Sequence, residues 1–121
     1  MPYDRDNVFA RILRGELPCA KVYEDEHVLA FRDIAPQAPS HVVLIPKGEY
    51  LSADDFSATA SAAELAAFMR AIAKIAAAEG TAASGYRILA NSGKAAHQAV
   101  PHFHLHLFGG RDLGGRLLQR S

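Results

Sequence analysis

The sequence predicts an α+β domain in which an antiparallel sheet packs against one long helix. Three observations indicate this fold class. Candidate strands come in runs rather than alternating with helices, one strongly amphipathic helix lies mid-chain, and the last candidate strand alternates strictly between histidine and apolar residues. With 121 residues, the chain is long enough for one domain with a real core and too short for two.

The elements before the long helix are short. Helical spacing of Val8, Phe9, Ile12 and Leu13 predicts a helix over 7–14. Strands are predicted at 20–24, 27–32 and 41–46, because these segments are rich in apolar and β-branched residues. The segment from Asp33 to Ser40 contains two prolines and is predicted to be a loop, since proline cannot donate to a strand ladder.

The long helix is the clearest element. Ser61 and Glu64 have the spacing of a capping box, and Gly80 is a C-terminal stop. Between them, apolar residues recur at three- and four-residue steps and predict one buried face, in the core or at a subunit interface: Leu65, Phe68, Met69, Ile72 and Ile75.

The histidine-rich segment follows a predicted strand at 86–91 and a loop. It reads "HFHLHLFGGR" from His102. In a strand, residues two apart share a face, so His102, His104 and His106 point to one side and the apolar residues between them point into the core. This separation predicts a functional site, because imidazoles on a core face would need a partner for every nitrogen.

Two kinds of chemistry fit three imidazoles on one face. A single zinc ion held by all three is disfavoured, because the outer Cα atoms of a straight strand lie about 13 Å apart while Zn–N bonds are only about 2.0–2.1 Å; a pair with a third ligand from elsewhere is easier. Alternatively, the row serves one phosphate, since neutral histidine is a nucleophile and its neighbours donate hydrogen bonds. The middle residue, His104, is then the natural nucleophile, and neither a metal nor a cofactor is predicted.

Composition argues against several classes of function. The 13 basic and 13 acidic residues give no net charge that would draw the chain to nucleic acid or a membrane surface. No apolar run approaches the roughly 18 residues of a membrane span, and the N-terminus is too charged for a signal peptide. The one cysteine, Cys19, cannot form an intramolecular disulfide, which fits a reducing compartment. We therefore expect a cytoplasmic protein.

Beyond these patterns, the chain resembles the histidine triad (HIT) family, in its Hint-like branch. The motif "HFHLHLF" has the family's His-x-His-x-His form, and its flanks agree over 89–111, as does the segment 8–47. The last residues, 112–121, diverge and form a tail. The resemblance implies a HIT-like fold in a single domain, 1–121, with about five strands, one long and one short helix, and sheets joined across a homodimer.

The resemblance also implies a nucleotide hydrolase or transferase acting on a purine nucleotide. Attack on the α-phosphorus gives a nucleotidyl-histidine, and water then releases the nucleoside monophosphate. The branch prefers purine nucleoside phosphoramidates, such as AMP joined to an amine. By matching position, His104 is the nucleophile, His102 and His106 orient it and contact phosphate, and His41 is the fourth histidine of the site.

The nucleotide-binding residues carried over by position surround this row. Asp33 matches the acidic residue that binds the ribose hydroxyls, and Asn91 matches a polar phosphate contact. Gln98 and Ala99 stand where Gly-Gln-Ser is usual, so the serine hydroxyl that would contact phosphate is missing at Ala99. The residues at the purine pocket are Phe9, Ile12, Phe31 and Ile34.

Other departures leave alternatives open. Many bacterial relatives bind a structural zinc through positions that match Asn7, Ala10 and Glu49, so no such zinc is expected here. A dinucleoside polyphosphate hydrolase of the same family is the second enzymatic hypothesis. A nucleotide-binding protein with little turnover is another, and a metal-dependent hydrolase ranks last because the sequence supplies few further ligands.

Overall fold

The computed structural model describes residues 2–116. The strands are β1 (Lys21–Glu24), β2 (Val28–Arg32), β3 (Ser40–Pro46), β4 (Tyr86–Leu89) and β5 (Leu105–Gly109). The helices are α1 (Val8–Leu13), α2 (Ala53–Thr59) and α3 (Ala62–Ala78), with a 3-10 turn at Lys94–Ala96. The five strands form one antiparallel sheet in the order β1-β2-β3-β5-β4, which confirms the predicted α+β class. Part of the divergent tail, residues 117–121, lies outside the described residues.

The helix caps explain where two helices begin. Asn7 caps α1, because its side-chain oxygen accepts from the backbone N–H of Ala10 (2.9 Å). The predicted capping box at α3 is present in both directions. The N–H of Glu64 donates to the Ser61 hydroxyl (3.1 Å), and the N–H of Ser61 donates to the Glu64 carboxylate (3.0 Å).

Three predicted features differ from the structure. The histidine strand begins at Leu105 instead of His102, because the preceding backbone leaves the ladder and Phe103 donates its N–H to the carbonyl of Tyr50 (2.8 Å). The strand predicted at 86–91 ends at Leu89, whose register partner is His106. The helix α2 was not predicted, since its seven residues bury only Phe56 and show no apolar period.

The sheet is covered on both faces. On one face, α2 and α3 bury the larger core, in which three aromatic rings, of Phe56, Phe68 and Phe103, lie with centroids 5.0 to 5.1 Å apart. We call this the helix face. On the opposite face, α1 packs over a smaller apolar cluster, and the predicted site lies beside it. We call this the imidazole face. Its buried cluster consists of Leu29, Phe31, Val43 and Ile45.

A buried carboxylate ties α3 to the sheet. Glu79, 8% exposed at its side chain, accepts two hydrogen bonds from the guanidinium of Arg32 (2.7 and 2.8 Å) and one from the Ser40 hydroxyl (2.7 Å). The proline-containing loop, 33–39, lies between these two contacts, and the N–H of Asp33 donates to the carbonyl of His41 (3.0 Å). Both ends of the loop are thus fixed. Within residues 2–116, no helix is long and apolar enough to cross a bilayer.

Candidate active site

Strands β3 and β5 bring histidines to the imidazole face. In the antiparallel register, His41 of β3 lies opposite Phe108, and Val43 lies opposite His106, so His41 and His106 are diagonal neighbours. Their ring centroids are 5.1 Å apart, and that of His104 is 5.2 Å from His106. The structure therefore brings three of the four expected histidines into ring contact, in the order His41, His106, His104.

The hydrogen bonds of His104 leave one ring nitrogen unengaged. Its Nδ1 lies 2.8 Å from the carbonyl oxygen of His102, which only accepts, so Nδ1 carries the proton. A neutral ring then has a lone pair on Nε2, and no group among residues 2–116 donates to that atom. The side chain is buried, with 5% exposure. This is the protonation pattern that a nucleophilic imidazole requires.

A second hydrogen-bond chain fixes His106. The backbone N–H of Gln37 donates to His41 Nδ1 (3.1 Å), so a neutral His41 carries its proton on Nε2. That Nε2–H donates to His106 Nδ1 (2.9 Å), so His106 in turn carries its proton on Nε2. The site thus offers one lone pair, on His104, beside one N–H donor, on His106.

The first histidine of the motif is engaged at both nitrogens. His102 is fully buried, its Nε2 donates to the carbonyl of Pro46 (2.8 Å), and its Nδ1 is hydrogen-bonded to the hydroxyl of Tyr3. No ring nitrogen is left for a phosphate, so the direct phosphate contact expected for His102 does not fit this geometry. Through its carbonyl, His102 instead orients His104.

Burial keeps all four imidazoles neutral near neutral pH. Desolvation lowers the pKa of both His102 and His106 to about 4, with the neighbouring histidines adding to the effect. It also lowers the pKa of His41 and of His104, and the nearby carboxylate of Asp33 opposes it in both cases. His104 is therefore available as a neutral nucleophile without a separate base.

Asp33 lies at the edge of the row formed by His41, His106 and His104, which we call the histidine row. One carboxylate oxygen is 3.5 Å from His41 Nε2, and the other accepts from the N–H of Ala35 (2.8 Å). Donor atoms of Asp33, His41 and His106 all lie within 4.8 Å of one another, a grouping of the kind that can hold a metal ion. In this arrangement, however, the two ring nitrogens are already joined by a hydrogen bond, which an ion would have to replace.

Apolar side chains flank the nucleophile. The ring of Phe9, carried by α1, stands edge-on to His104 (4.9 Å between centroids) and to Phe31 (5.6 Å). Ile12 packs on the same cluster. Of the four expected purine-pocket residues, Phe9 therefore contacts the site histidines directly, and Phe31 and Ile12 belong to the apolar cluster on which Phe9 packs. Ile34, the fourth, is fully exposed in the loop after β2.

Three residues of the loop before the triad, Asn91, Gln98 and Ala99, were expected to lie at the phosphate. The amide of Gln98 is used inside the loop: it donates to the carbonyls of Leu51 (2.7 Å) and Val100 (2.9 Å) and accepts from the N–H of Gly93 (3.0 Å). Gln98 therefore holds the loop rather than offering its amide to a ligand. Asn91 is partly buried, and Ala99 is exposed without a polar group.

Sequence reasoning missed two contributors to this site. Tyr3 contacts His102 across 99 residues of sequence, and no pattern in the chain indicates that contact. The ring of Phe108 stacks on that of His106, with centroids 5.7 Å apart and an interplanar angle of 18°, and its centroid lies 4.3 Å from that of His41. The alternation that placed the histidines, carried two residues further, predicts the face on which Phe108 lies.

Comparisons with known proteins show which family this chain resembles. A family model described as the HIT domain matches residues 14–113. The chain is 60% identical over 112 residues to an uncharacterised 13.2 kDa HIT-like protein of Azospirillum brasilense, covering 93% of this chain and 92% of the relative. It is 43% identical over 116 residues to a purine nucleoside phosphoramidase of Escherichia coli, covering 96% and 97%. A solved HIT family hydrolase from Clostridium thermocellum superposes with a TM-score of 0.86 at 41% identity, covering 95% and 99%.

Proposed function

This chain belongs to the histidine triad (HIT) family, and we propose that it is a nucleotide hydrolase that cleaves purine nucleoside phosphoramidates at the α-phosphate. Its fold is the HIT-like fold that the resemblance implied. The observation that carries the proposal is the pairing of an unengaged lone pair on His104 with an N–H donor on His106. The relative named as a purine nucleoside phosphoramidase supports the substrate class.

In the first step, Nε2 of His104 attacks the α-phosphorus. The new P–N bond leaves the ring positively charged, and the carbonyl of His102 stabilises that charge through Nδ1–H. The N–H of His106 donates to a phosphate oxygen as negative charge develops there. The bond from phosphorus to the leaving nitrogen breaks, and that nitrogen takes a proton from water and departs as an amine.

In the second step, water or the hydroxide left by the first step attacks the phosphorus of the nucleotidyl-histidine. The electron pair of the P–N bond returns to Nε2, and His104 leaves as a neutral imidazole. One water molecule is consumed overall, because its proton goes to the amine and its hydroxyl to the nucleoside monophosphate. The low pKa of the buried ring favours this departure, since it disfavours the charged form.

The nucleoside part of the substrate binds next to the row. Phe9, Ile12 and Phe31 offer apolar surface to the purine, and Asp33 offers a carboxylate that accepts from the ribose hydroxyls. Asn91 donates to the phosphate from the loop that follows β4. Ile34 contacts the base only when the loop after β2 folds over it, because it is fully exposed in this structure.

The test is release of AMP from an adenosine 5'-phosphoramidate, followed by chromatography, with mass spectrometry of rapidly quenched enzyme. We expect AMP and an adenylyl group on His104. A faster rate on diadenosine polyphosphates would favour the alternative hydrolase of the same family. Tight AMP binding by calorimetry, without product from either substrate, would instead indicate a binding protein.

The enzyme is also proposed to be a homodimer. The edge strand β4 has an unpaired side, and its Ile88 is 45% exposed. Tyr86 of the same strand is 38% exposed, and Met69 of α3 is 62% exposed. Sedimentation should give the mass of two chains, and Ile88→Asp should shift it to one. A wild-type monomer at micromolar concentration would contradict this proposal.

A further inference from the structure

We propose that Tyr3 is a positioning residue for the hydrolysis, acting on the nucleophile through His102. The proposal rests on the function proposed above and adds a residue to its machinery. Tyr3 lies near the N-terminus, outside every motif that points to the reaction, yet its hydroxyl binds the ring of the first motif histidine.

Two hydrogen bonds, both made by His102, connect Tyr3 to the nucleophile, and a third holds the His102 ring in place. The phenol O–H donates to Nδ1 of His102, whose Nε2–H donates to the carbonyl of Pro46 (2.8 Å). These two contacts fix the tautomer and the orientation of the ring. The carbonyl of the same residue accepts from Nδ1–H of His104 (2.8 Å), which leaves Nε2 with the lone pair. A change at Tyr3 therefore reaches the reacting atom through one residue.

The buried position of His102 makes the phenol difficult to replace. The imidazole is fully buried, so water does not take over the contact if the hydroxyl is removed. Tyr3 also stands edge-on to the ring, with centroids 5.6 Å apart. Its location is set by a turn in which the Asn7 amide donates to the carbonyl of Asp4 (2.7 Å) and then caps α1. The same helix carries Phe9 to His104.

This corner contains the positions at which the resemblance places the zinc ligands of bacterial relatives. In this chain, Asn7 caps a helix, Glu49 binds Arg5 (3.2 Å), and Tyr3 binds His102. Tyr3, Ala10 and Glu49 line one cavity of about 230 Å³. Polar contacts within the protein hold this corner, and of Asn7, Glu49 and Tyr3 it is Tyr3 that binds a histidine of the motif.

The decisive variant is Tyr3→Phe, which keeps the ring and removes the hydroxyl. The matched control is Tyr23→Phe, which removes a phenol that donates to Asp25 (2.8 Å) on the opposite face of the sheet. We expect kcat on an adenosine phosphoramidate to fall roughly tenfold with KM unchanged in the first variant, because misplacement of a reacting group lowers the rate without weakening binding. The control should keep both constants within twofold.

A second readout does not depend on the substrate. The rate at which diethyl pyrocarbonate acylates His104, followed by peptide mass spectrometry, measures the availability of Nε2 directly, and nitrogen-15 NMR reports the hydrogen bonds of the His102 ring. Both should change in Tyr3→Phe and stay constant in Tyr23→Phe. If the wild type hydrolyses no phosphoramidate, the proposed function fails, while the acylation rate still decides the role of Tyr3.

Two results would overturn the proposal. In one, Tyr3→Phe matches the control in kcat and in acylation rate. In the other, its loss of activity equals the fraction of unfolded protein measured by circular dichroism, so that activity per folded molecule is unchanged. The latter would make the hydroxyl a purely structural group.

Discussion

The helix face and the imidazole face of the sheet are built from the same strands, and burial has different consequences on each. On β5, Leu105 and Leu107 enter the core under the helices, while His106 and Phe108 lie on the opposite side. On the helix face, burial removes apolar surface from water and stabilises the fold. On the imidazole face, it removes water from titratable rings and lowers their pKa values.

The imidazole face therefore depends on hydrogen bonding in a way that the helix face does not. Among residues 2–116, every side-chain nitrogen or oxygen that is itself shielded from solvent has a hydrogen-bond partner, and the unengaged Nε2 of His104 is not one of these shielded atoms. For the histidines, these partners also decide which ring nitrogen keeps its proton. Substitutions on the imidazole face should accordingly change activity, whereas substitutions on the helix face should change stability.

The largest effect on activity is expected at the nucleophile, on the imidazole face. His104→Asn should lower kcat/KM for an adenosine phosphoramidate by at least about 10³-fold, because it removes the attacking atom. His27→Asn, at the turn between β1 and β2, is the matched histidine control and should keep the wild-type rate. Retention of activity by His104→Asn would exclude the nucleotidyl-histidine mechanism.

At Phe68, on the helix face, the expected effect is on stability and not on activity. Its side chain is 2% exposed and packs between Phe56 and Phe103. Phe68→Ala should lower the free energy of unfolding by about 3–5 kcal/mol, measured by urea denaturation, because it leaves a cavity in the larger core. Activity per folded molecule should stay near the wild type. Arg70→Ala, on the exposed side of the same helix, should change stability by less than about 0.5 kcal/mol. A specific loss of kcat in Phe68→Ala would show that the two faces are coupled.

Acidification should destabilise the imidazole face. The pKa of His102 and of His106 is about 4 in the folded protein and near the ordinary value of about 6.5 when unfolded. Between these values the unfolded chain binds more protons, so stability is full above about pH 6.5 and falls as the pH drops toward 4. Urea midpoints at pH 7.5, 6 and 5 should decrease in that order. His106→Asn removes one of these groups and should decrease less steeply; an equal slope would contradict the assignment.

The smallest expected effect comes from removing the N-terminal cap of one helix on each face of the sheet. Ser61→Ala removes the cap of α3, and Asn7→Ala removes that of α1. Each should cost about 1 kcal/mol of unfolding free energy. Only Asn7→Ala should also lower kcat, because α1 carries Phe9 to the nucleophile. Steady-state kinetics at a temperature where both variants are folded decides this, and equal kcat values would mean that α1 serves stability alone.

The local parts of this architecture were predictable from the sequence. The capping box and the apolar period of α3 are signals within a few residues, and the alternation around His104 separates the two faces. The nucleotide assignments came from resemblance, because single residues such as Asp33 carry no signal of their own. Contacts that depend on register and loop path were not predictable: His41 meets His106 across 65 residues. The short α2 was missed because one buried aromatic residue makes no period.

The buried carboxylate of Glu79 has a consequence for how this enzyme can diversify. It holds Arg32 and Ser40, the residues just before Asp33 and His41, so the intervening loop is anchored at both ends from the far side of the sheet. Lengthening an anchored loop costs little conformational entropy, since closure grows only with the logarithm of its length. Insertions between positions 35 and 37 should be tolerated as long as Asp33, His41 and the Gln37 N–H that donates to His41 Nδ1 stay in place. Evolution can therefore vary what meets the substrate here without rebuilding the chemistry beneath it.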